Sequence, residues 1–343
     1  MSKINPIVNI QMLMQYHNYA TSPRIFKFIK NYRMRTHRET ALEASKRKSI
    51  VPPEIRKAAE ATLKNQLIET LKGRAGKVYI DPAMKSIAVP LQMAASQTGF
   101  DVLPSGSRVK IPDGKKIRAF TYWEKVNDID ISCFGLTEDG YQEEFSWRTM
   151  WDKQGSEIVF SGDETSGYYG GSEYFDINLN LFKAKHPDFR YIVFCDNVYS
   201  DATFDSCFCK AGFMMRDEKD SGEIFEPKTI KTSFKVSGDT RFNYMFAIDL
   251  ETREMVWLNI IREGSRSVAG TEKMDFLLSY LNMTEVFNVY DLFKYCGTLS
   301  NVYDADIIVS DYDFKNSEML EAIEGKEIIH SYDFEKILKY LQP

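Results

Sequence analysis

Asp128, Asp130 and Ser132 alternate with Ile129, Ile131 and Cys133. On a strand, successive side chains point to opposite faces, so the three oxygen-bearing groups share one face and the three apolar groups the other. Two carboxylates then stand about 7 Å apart at their backbones, and carboxylates that close repel unless a cation, a lysine or water separates them. A hard divalent cation is the most economical neutraliser. Further along, Gly162-Asp163-Glu164-Thr165-Ser166-Gly167 and Gly170-Gly171-Ser172-Glu173 make an acidic, glycine-rich stretch that runs into a strand containing Phe175 and Ile177. Glycines let backbone carbonyls turn inward, and carboxylates plus carbonyls are what calcium binds, through roughly six to eight oxygens. An EF-hand is excluded, because the sixth position counted from Asp128 is Cys133, where that loop needs glycine.

Other chemistries fare less well. The four histidines, His17, His37, His186 and His330, are scattered and none is near the acidic residues in sequence, which disfavours a histidine-based metalloenzyme. There is no Gly-x-Ser-x-Gly, no phosphate-binding glycine loop and no His-Glu-x-x-His. Cys207-Phe208-Cys209 lacks the second pair that a zinc site needs and reads as buried, inert thiols. The tryptophans, Trp123, Trp147, Trp151 and Trp257, read mostly as core rather than as a stacking surface. Paired aspartates can also hold magnesium for hydrolysis, so a divalent-metal-dependent hydrolase using the same acidic site stands as an alternative. Calcium is preferred because the loop is flexible, whereas magnesium demands near-ideal octahedral geometry.

These residues need strands to position them. Ile117–Trp123, Asp128–Leu136, Glu157–Ser161, Glu173–Leu179, Tyr191–Val198, Phe242–Leu250 and Met255–Ile261 are short, β-branched or aromatic, and separated by turn residues. Such spacing implies a β-sandwich. Glu251-Thr252-Arg253 reads as a hairpin connection and Asn180–His186 as a short helical crossover. The flanks differ. Residues 1–77 carry 16 Lys+Arg against 5 Asp+Glu, a net of +11, which leaves −16 for the remainder of a chain whose net charge is −5. Within that basic part, Ile25, Phe28, Ile29 and Tyr32 recur at helical spacing after Ser22-Pro23, and a second helix starts near Pro53, carries Leu63, Leu67 and Leu71, and stops at Gly73 or Gly76. A polar connector around Lys46, Arg47 and Lys48 joins them. Beyond Thr271 come helices through Phe276, Leu277 and Leu281 and through Val289, Leu292 and Phe293, a strand at Ile307-Ile308-Val309 and a final helix from Asp333 to Leu341.

The expected organisation is therefore a basic helical region over 1–76, a β-sandwich over 77–262 and a small α/β tail over 263–343. No apolar run approaches 18 residues and Gln15, His17 and Asn18 interrupt the N-terminal one, so no membrane span or signal peptide is expected. Five dispersed cysteines are no disulfide framework. Reduced thiols and a cytoplasmic location follow as expectations. The basic N-terminal helices offer phosphate contacts, so a nucleic-acid partner is the leading alternative from a different class, although no nucleic-acid motif is present.

Asn127-Asp128-Ile129-Asp130-Ile131-Ser132, Phe160-Ser161-Gly162-Asp163 with Gly167, and Gly171-Ser172-Glu173 entering a strand that ends Asp176-Ile177-Asn178-Leu179 resemble the TerD family of tellurium-resistance and stress proteins. The resemblance runs over about Leu103 to Ile261. Gly76-Lys77-Val78-Tyr79-Ile80-Asp81-Pro82-Ala83, Ser105-Gly106-Ser107-Arg108, Tyr122-Trp123 and Gly222-Glu223-Ile224-Phe225-Glu226-Pro227 are similar to a subgroup carrying a TerD-like domain inside a larger protein. The resemblance implies a mainly β fold, a TerD-like antiparallel β-sandwich that binds calcium without catalysis and acts as a sensor or scaffold for a protein partner. It carries the ligand positions onto Asp128, Asp130, Asp163 and Glu173, with Gly167 at a loop position. One departure is notable: Gly171 and Ser172 stand where the family usually has acidic residues, which implies weaker binding or one calcium ion instead of two.

Overall fold

The computed structural model describes residues 5–18, 25–38, 52–91, 102–114, 116–137, 142–150, 155–199, 202–217, 222–262, 277, 280–314 and 323–342. The Ser22-Pro23 helix start, the Lys46-Arg47-Lys48 connector, Trp151 and Phe276 lie outside them. In chain order, helix α1 (Pro6–Asn18) is followed by a hairpin of β1 (Ile25–Lys30) and β2 (Arg33–Arg38), then by α2 (Pro53–Leu71) and β3 (Lys77–Ile80). The strands β4 (Arg108–Lys110), β5 (Lys116–Glu124), β6 (Ile129–Thr137), β7 (Gln142–Phe145), β8 (Ile158–Phe160) and β9 (Gly171–Ile177) lead to helix α3 (Leu179–Lys185). Then come β10 (Phe189–Val198), β11 (Phe208–Arg216), β12 (Ile230–Lys235), β13 (Phe242–Asp249) and β14 (Glu254–Arg262). The last part holds α4 (Val289–Cys296), β15 (Thr298–Leu299), β16 (Ile307–Val309), β17 (Glu327–Ile329) and α5 (Phe334–Lys339).

The fold is β-rich. Two compact units form, and they are not three consecutive pieces: one gathers residues 1–22, 45–108 and 275–343, the other 23–44 and 109–274. In the first, β15, β3, β16 and β17 make a four-stranded parallel sheet in that order. This corrects the expected boundaries. β3 does not begin the β-sandwich region expected over 77–262, and the segment after residue 263 is no separate tail, because its three short strands complete a sheet around β3. Parallel neighbours need long connections, and here the connection between β3 and α4 contains the whole second sheet system. Leu63, Leu67 and Leu71 are buried on one stripe of α2, as their i+4 spacing predicts, and α2 packs on α1 and α4.

In the second unit one sheet has the order β4-β14-β13-β10-β6-β7 and the other β12-β11-β5-β9-β8. Neighbours from β14 to β7, and throughout the five-stranded sheet, pair antiparallel. The sheets face each other through aromatic rings: Phe175 of β9 lies 6.2 Å from Phe194 of β10, and Phe234 of β12 lies 5.2 Å from Trp257 of β14. The expected crossover is α3, capped by the Asn178 side chain accepting from the Leu181 N–H, and it carries the chain from β9 in one sheet to β10 in the other.

The basic segment around residues 25–38 is a correction. It is an antiparallel hairpin, not a helix, with Lys30 opposite Arg33 and Ile25 opposite Arg38. Its two-residue turn places Asn31 and Tyr32 in the left-handed region, at φ 54° and 58°, the conformation that matches the twist of flanking strands and that asparagine tolerates. The apolar spacing fitted a helix, but isoleucine and phenylalanine in short runs fit strands as well.

Candidate metal centre

Asp128 lies just before β6, Asp163 in the loop between β8 and β9, and Glu173 on β9. One carboxylate oxygen from each lies within 4.8 Å of the other two. An ion 2.3–2.6 Å from each oxygen spans at most about 5 Å between opposite ligands, so the three fit around one hard cation. Among the described residues the cluster contains no histidine or cysteine. Asp163 is exposed, Asp128 half-buried and Glu173 buried, which gives the group a solvent-facing side and a closed side.

Backbone hydrogen bonds bring these segments together. The Gly167 N–H donates to the Asn127 carbonyl and the Lys125 N–H to the Tyr168 carbonyl, which pins the start of β6 to the glycine-rich loop. Glu173 extends the tie: its Oε2 accepts from the Ile131 N–H and its Oε1 from the Glu164 N–H, both at 2.9 Å. The side chain of Glu164 in turn accepts from the Ser166 N–H at 2.7 Å. Gly162 at the loop entrance has φ +97°, a conformation open to glycine and strained for other residues.

Electrostatics mark the cluster. Burial is the main cause that pushes Asp128 up to about 7, with the charges of Asp130, Asp163 and Glu164 adding to it. Burial also lifts Glu173 well above the usual carboxylate range, against the pull of its two N–H donors. The Asp128 Oδ1 is shut off from solvent with no hydrogen-bond partner. Carboxylates raised by desolvation and mutual repulsion would be returned to the ionised form by a bound cation.

The remaining two expected residues take other places. The register sets Asp130 opposite Asn197 and Ile131 opposite Asp196 on β10. Asp196 crosses to the other sheet through the Thr121 hydroxyl, which donates to its Oδ2 at 2.6 Å, so Asp130 points to the opposite face of the six-stranded sheet. Asp130 accepts from the Asn197 amide at 3.4 Å and lies outside the converging trio. It stays near enough to raise Asp128 and Glu173 by repulsion. Gly167 is buried against Trp123, where a Cβ would sit 2.6 Å from the indole Nε1, and its carbonyl accepts from the Gly170 N–H. Its position is accounted for by close approach to the ring.

Gly171 and Ser172, the two positions lacking acidic residues, have packing reasons. A Cβ on Gly171 would meet Trp123 at 2.5 Å, and Ser172 is buried with its hydroxyl donating to the Thr121 carbonyl at 2.7 Å. A carboxylate fits at neither without displacing the core.

Sequence reasoning passed over Asp196. It is wholly buried, its pKa is pushed well up by desolvation, and its Oδ1 has no hydrogen-bond partner. The signal was an Asp-Asn pair inside the apolar run Tyr191–Val198. All five cysteines are buried thiols outside any disulfide, and burial raises Cys207 to about 11 and lifts Cys209 well above the usual thiol range, which leaves neither as a thiolate nucleophile at neutral pH. His186 lies beside Glu157, 3.6 Å away, and His330 beside Ser310. Trp123 and Trp257 are buried in the core, whereas Trp147 is exposed. No helix is long and apolar enough to cross a membrane among the described residues. Comparison of the chain with protein-family models, with curated proteins and with solved structures finds no significant match.

Proposed function

We propose that the two-sheet unit is a TerD-like calcium-binding module, with Asp128, Asp163 and Glu173 as carboxylate ligands and Asp130 as a flanking charge. The observation that carries this reading is the convergence of three carboxylate oxygens within 4.8 Å from three separate chain segments. An all-oxygen donor set suits a hard cation and does not suit zinc or copper. Calcium fits better than magnesium because Asp163 sits on a glycine-containing loop that adapts to an irregular coordination shell. The output is a binding event and not catalysis: neutralising the carboxylates orders the Gly162–Glu173 loop and stabilises the fold or completes a surface for a protein partner, the behaviour of a sensor or scaffold. The family's association with tellurium resistance and stress enters through the residue resemblance alone.

The test is calorimetric titration of chelator-stripped protein with calcium and then magnesium, with Tm followed in parallel. Calcium at about 100 times its Kd adds about 2.7 kcal/mol, worth roughly 5–10 °C for a domain of this size. Saturable calcium binding with that rise, and little response to magnesium, supports the reading. An absence of calcium binding overturns it, and chelator-sensitive hydrolytic turnover with magnesium or manganese would favour the hydrolase.

A further inference from the structure

The β1–β2 hairpin carries a second, separate surface. From Arg24 to Arg38 there is no acidic residue, and Lys27, Lys30, Arg33, Arg35 and Arg38 follow in 12 positions. The register opposes Lys30 to Arg33, Phe28 to Arg35 and Ile29 to Met34. Directly opposed residues share a face and successive pairs alternate. Phe28, Lys30, Arg33 and Arg35 therefore lie on one face, and Ile29 and Met34 on the other. The residues from Phe28 to His37 are exposed; Tyr32, in the turn, is fully so.

We propose that this hairpin is a binding site for single-stranded nucleic acid, with phosphates on Lys30, Arg33 and Arg35 and unpaired bases stacked on Phe28 and Tyr32. Cations that track a backbone, combined with aromatic rings offered to bases, are the two parts of a single-strand site. The presence of Phe28 with Lys30, Arg33 and Arg35 on one face, next to a turn that exposes Tyr32, is the feature that the helical reading could not supply. A duplex satisfies the cations but hides the faces of its bases within the stack. An anionic membrane fits poorly. Lys30 and Arg33 flank the turn ahead of Ile29 and Met34, so insertion by the tip would carry two charges in first. Lying on the Ile29–Met34 face would turn Lys30, Arg33 and Arg35 away from the headgroups. The segment 23–44 carries six Lys+Arg against two Asp+Glu, a local net of +4 in a chain whose net charge is −5, which favours a polyanion as its ligand.

The full chain is titrated into a fluorescein-labelled 12-nucleotide DNA strand of mixed sequence, read by anisotropy at several salt concentrations. The annealed duplex and phosphatidylserine-containing vesicles serve as competitors. The single strand is expected to bind best, with a log–log salt slope near −2, as about three phosphate contacts require. Joint Arg33→Gln and Arg35→Gln substitution lowers affinity about ten-fold or more and flattens that slope to about −0.7. Phe28→Ala lowers affinity about five-fold with the slope unchanged. Met34→Gln, on the other face, leaves binding intact. Unchanged Tm values establish that the variants are folded. No binding, tighter binding to duplex, binding to vesicles alone, or affinity insensitive to the Arg33/Arg35 pair overturns the proposal. Calcium is irrelevant to each of these readouts, so they stand or fall apart from the metal centre.

Discussion

At the scale of single residues, what separates the acidic side chains is where each carboxylate can reach. Glu173 is held by two N–H donors and faces Asp128 and Asp163, whereas Asp130 is turned onto the other sheet face beside Asn197. Asp128→Asn, Asp163→Asn and Glu173→Gln are each expected to weaken calcium binding at least ~10-fold, or ~1.4 kcal/mol. Asp130→Asn should weaken it less, since it removes a neighbouring charge and no ligand. Calorimetry on the four variants checks the ordering, and equal losses across all four would place Asp130 among the ligands. The raised carboxylates also set a pH dependence. Asp128 moves from 3.8 unfolded to about 7 folded, so between those values the folded state binds more protons than the unfolded one. Chelated protein must then lose stability from this group as pH rises through that window; Glu173, Asp130 and Asp196 are shifted in the same direction. Tm measured from pH 5 to pH 8 should fall on this account without calcium and fall less with it. Asp196 allows a separate check: Asp196→Asn keeps an acceptor for Thr121 and removes a group whose raised pKa costs stability as pH rises, so the substitution should favour Tm more at pH 8 than at pH 5.

At the scale of elements, the loop between β8 and β9 is shaped by what it lies on. Trp123 fills the space that side chains at 167 and 171 would need. Gly167→Ala therefore forces either the indole or the loop to shift, a change expected to cost about 1–3 kcal/mol. It should also weaken calcium binding, because the Gly167 N–H to Asn127 bond sets where Asp128 sits. A thermal melt and a calcium titration of the one variant read both effects; a lost Tm with undiminished affinity would separate loop packing from the ligands. Most strands were legible from alternation and turn residues, and β6, β9, β10, β13 and β14 lie within two residues of their expected limits. The hairpin was not legible. Ile25, Phe28, Ile29 and Tyr32 satisfy helical spacing, and what decides against the helix is a pair of left-handed residues, Asn31 and Tyr32, with cross-strand pairing that begins at once on either side. In so short a segment periodicity is ambiguous and pairing is cooperative.

At the scale of the whole molecule, the parallel sheet joins distant parts of the chain. β3 is flanked by β15 and β16, more than 200 residues away in sequence. Removing residues 263–343 takes away three of its four strands and the α4 helix on which α2 packs. The truncated chain should expose α2 to trypsin at Arg56, Lys57 and Lys64 while retaining calcium binding in the other unit. Limited proteolysis followed by calorimetry tests this, and a protected α2 would show that the two ends are energetically independent.

By itself the amino-acid order determined the β-rich character, the buried stripe of α2, the Glu251-Thr252-Arg253 turn and the acidic residues available for a cation, because alternation, spacing and side-chain chemistry act over a few residues. Only the tertiary structure decided which carboxylates converge, that Asp196 is sealed between sheets, that the basic segment is a two-faced hairpin and that β3 shares one sheet with strands more than 200 residues further along the chain. Each of these depends on register and on contacts between segments far apart in sequence. Such contacts form only when loop closure and burial are settled together.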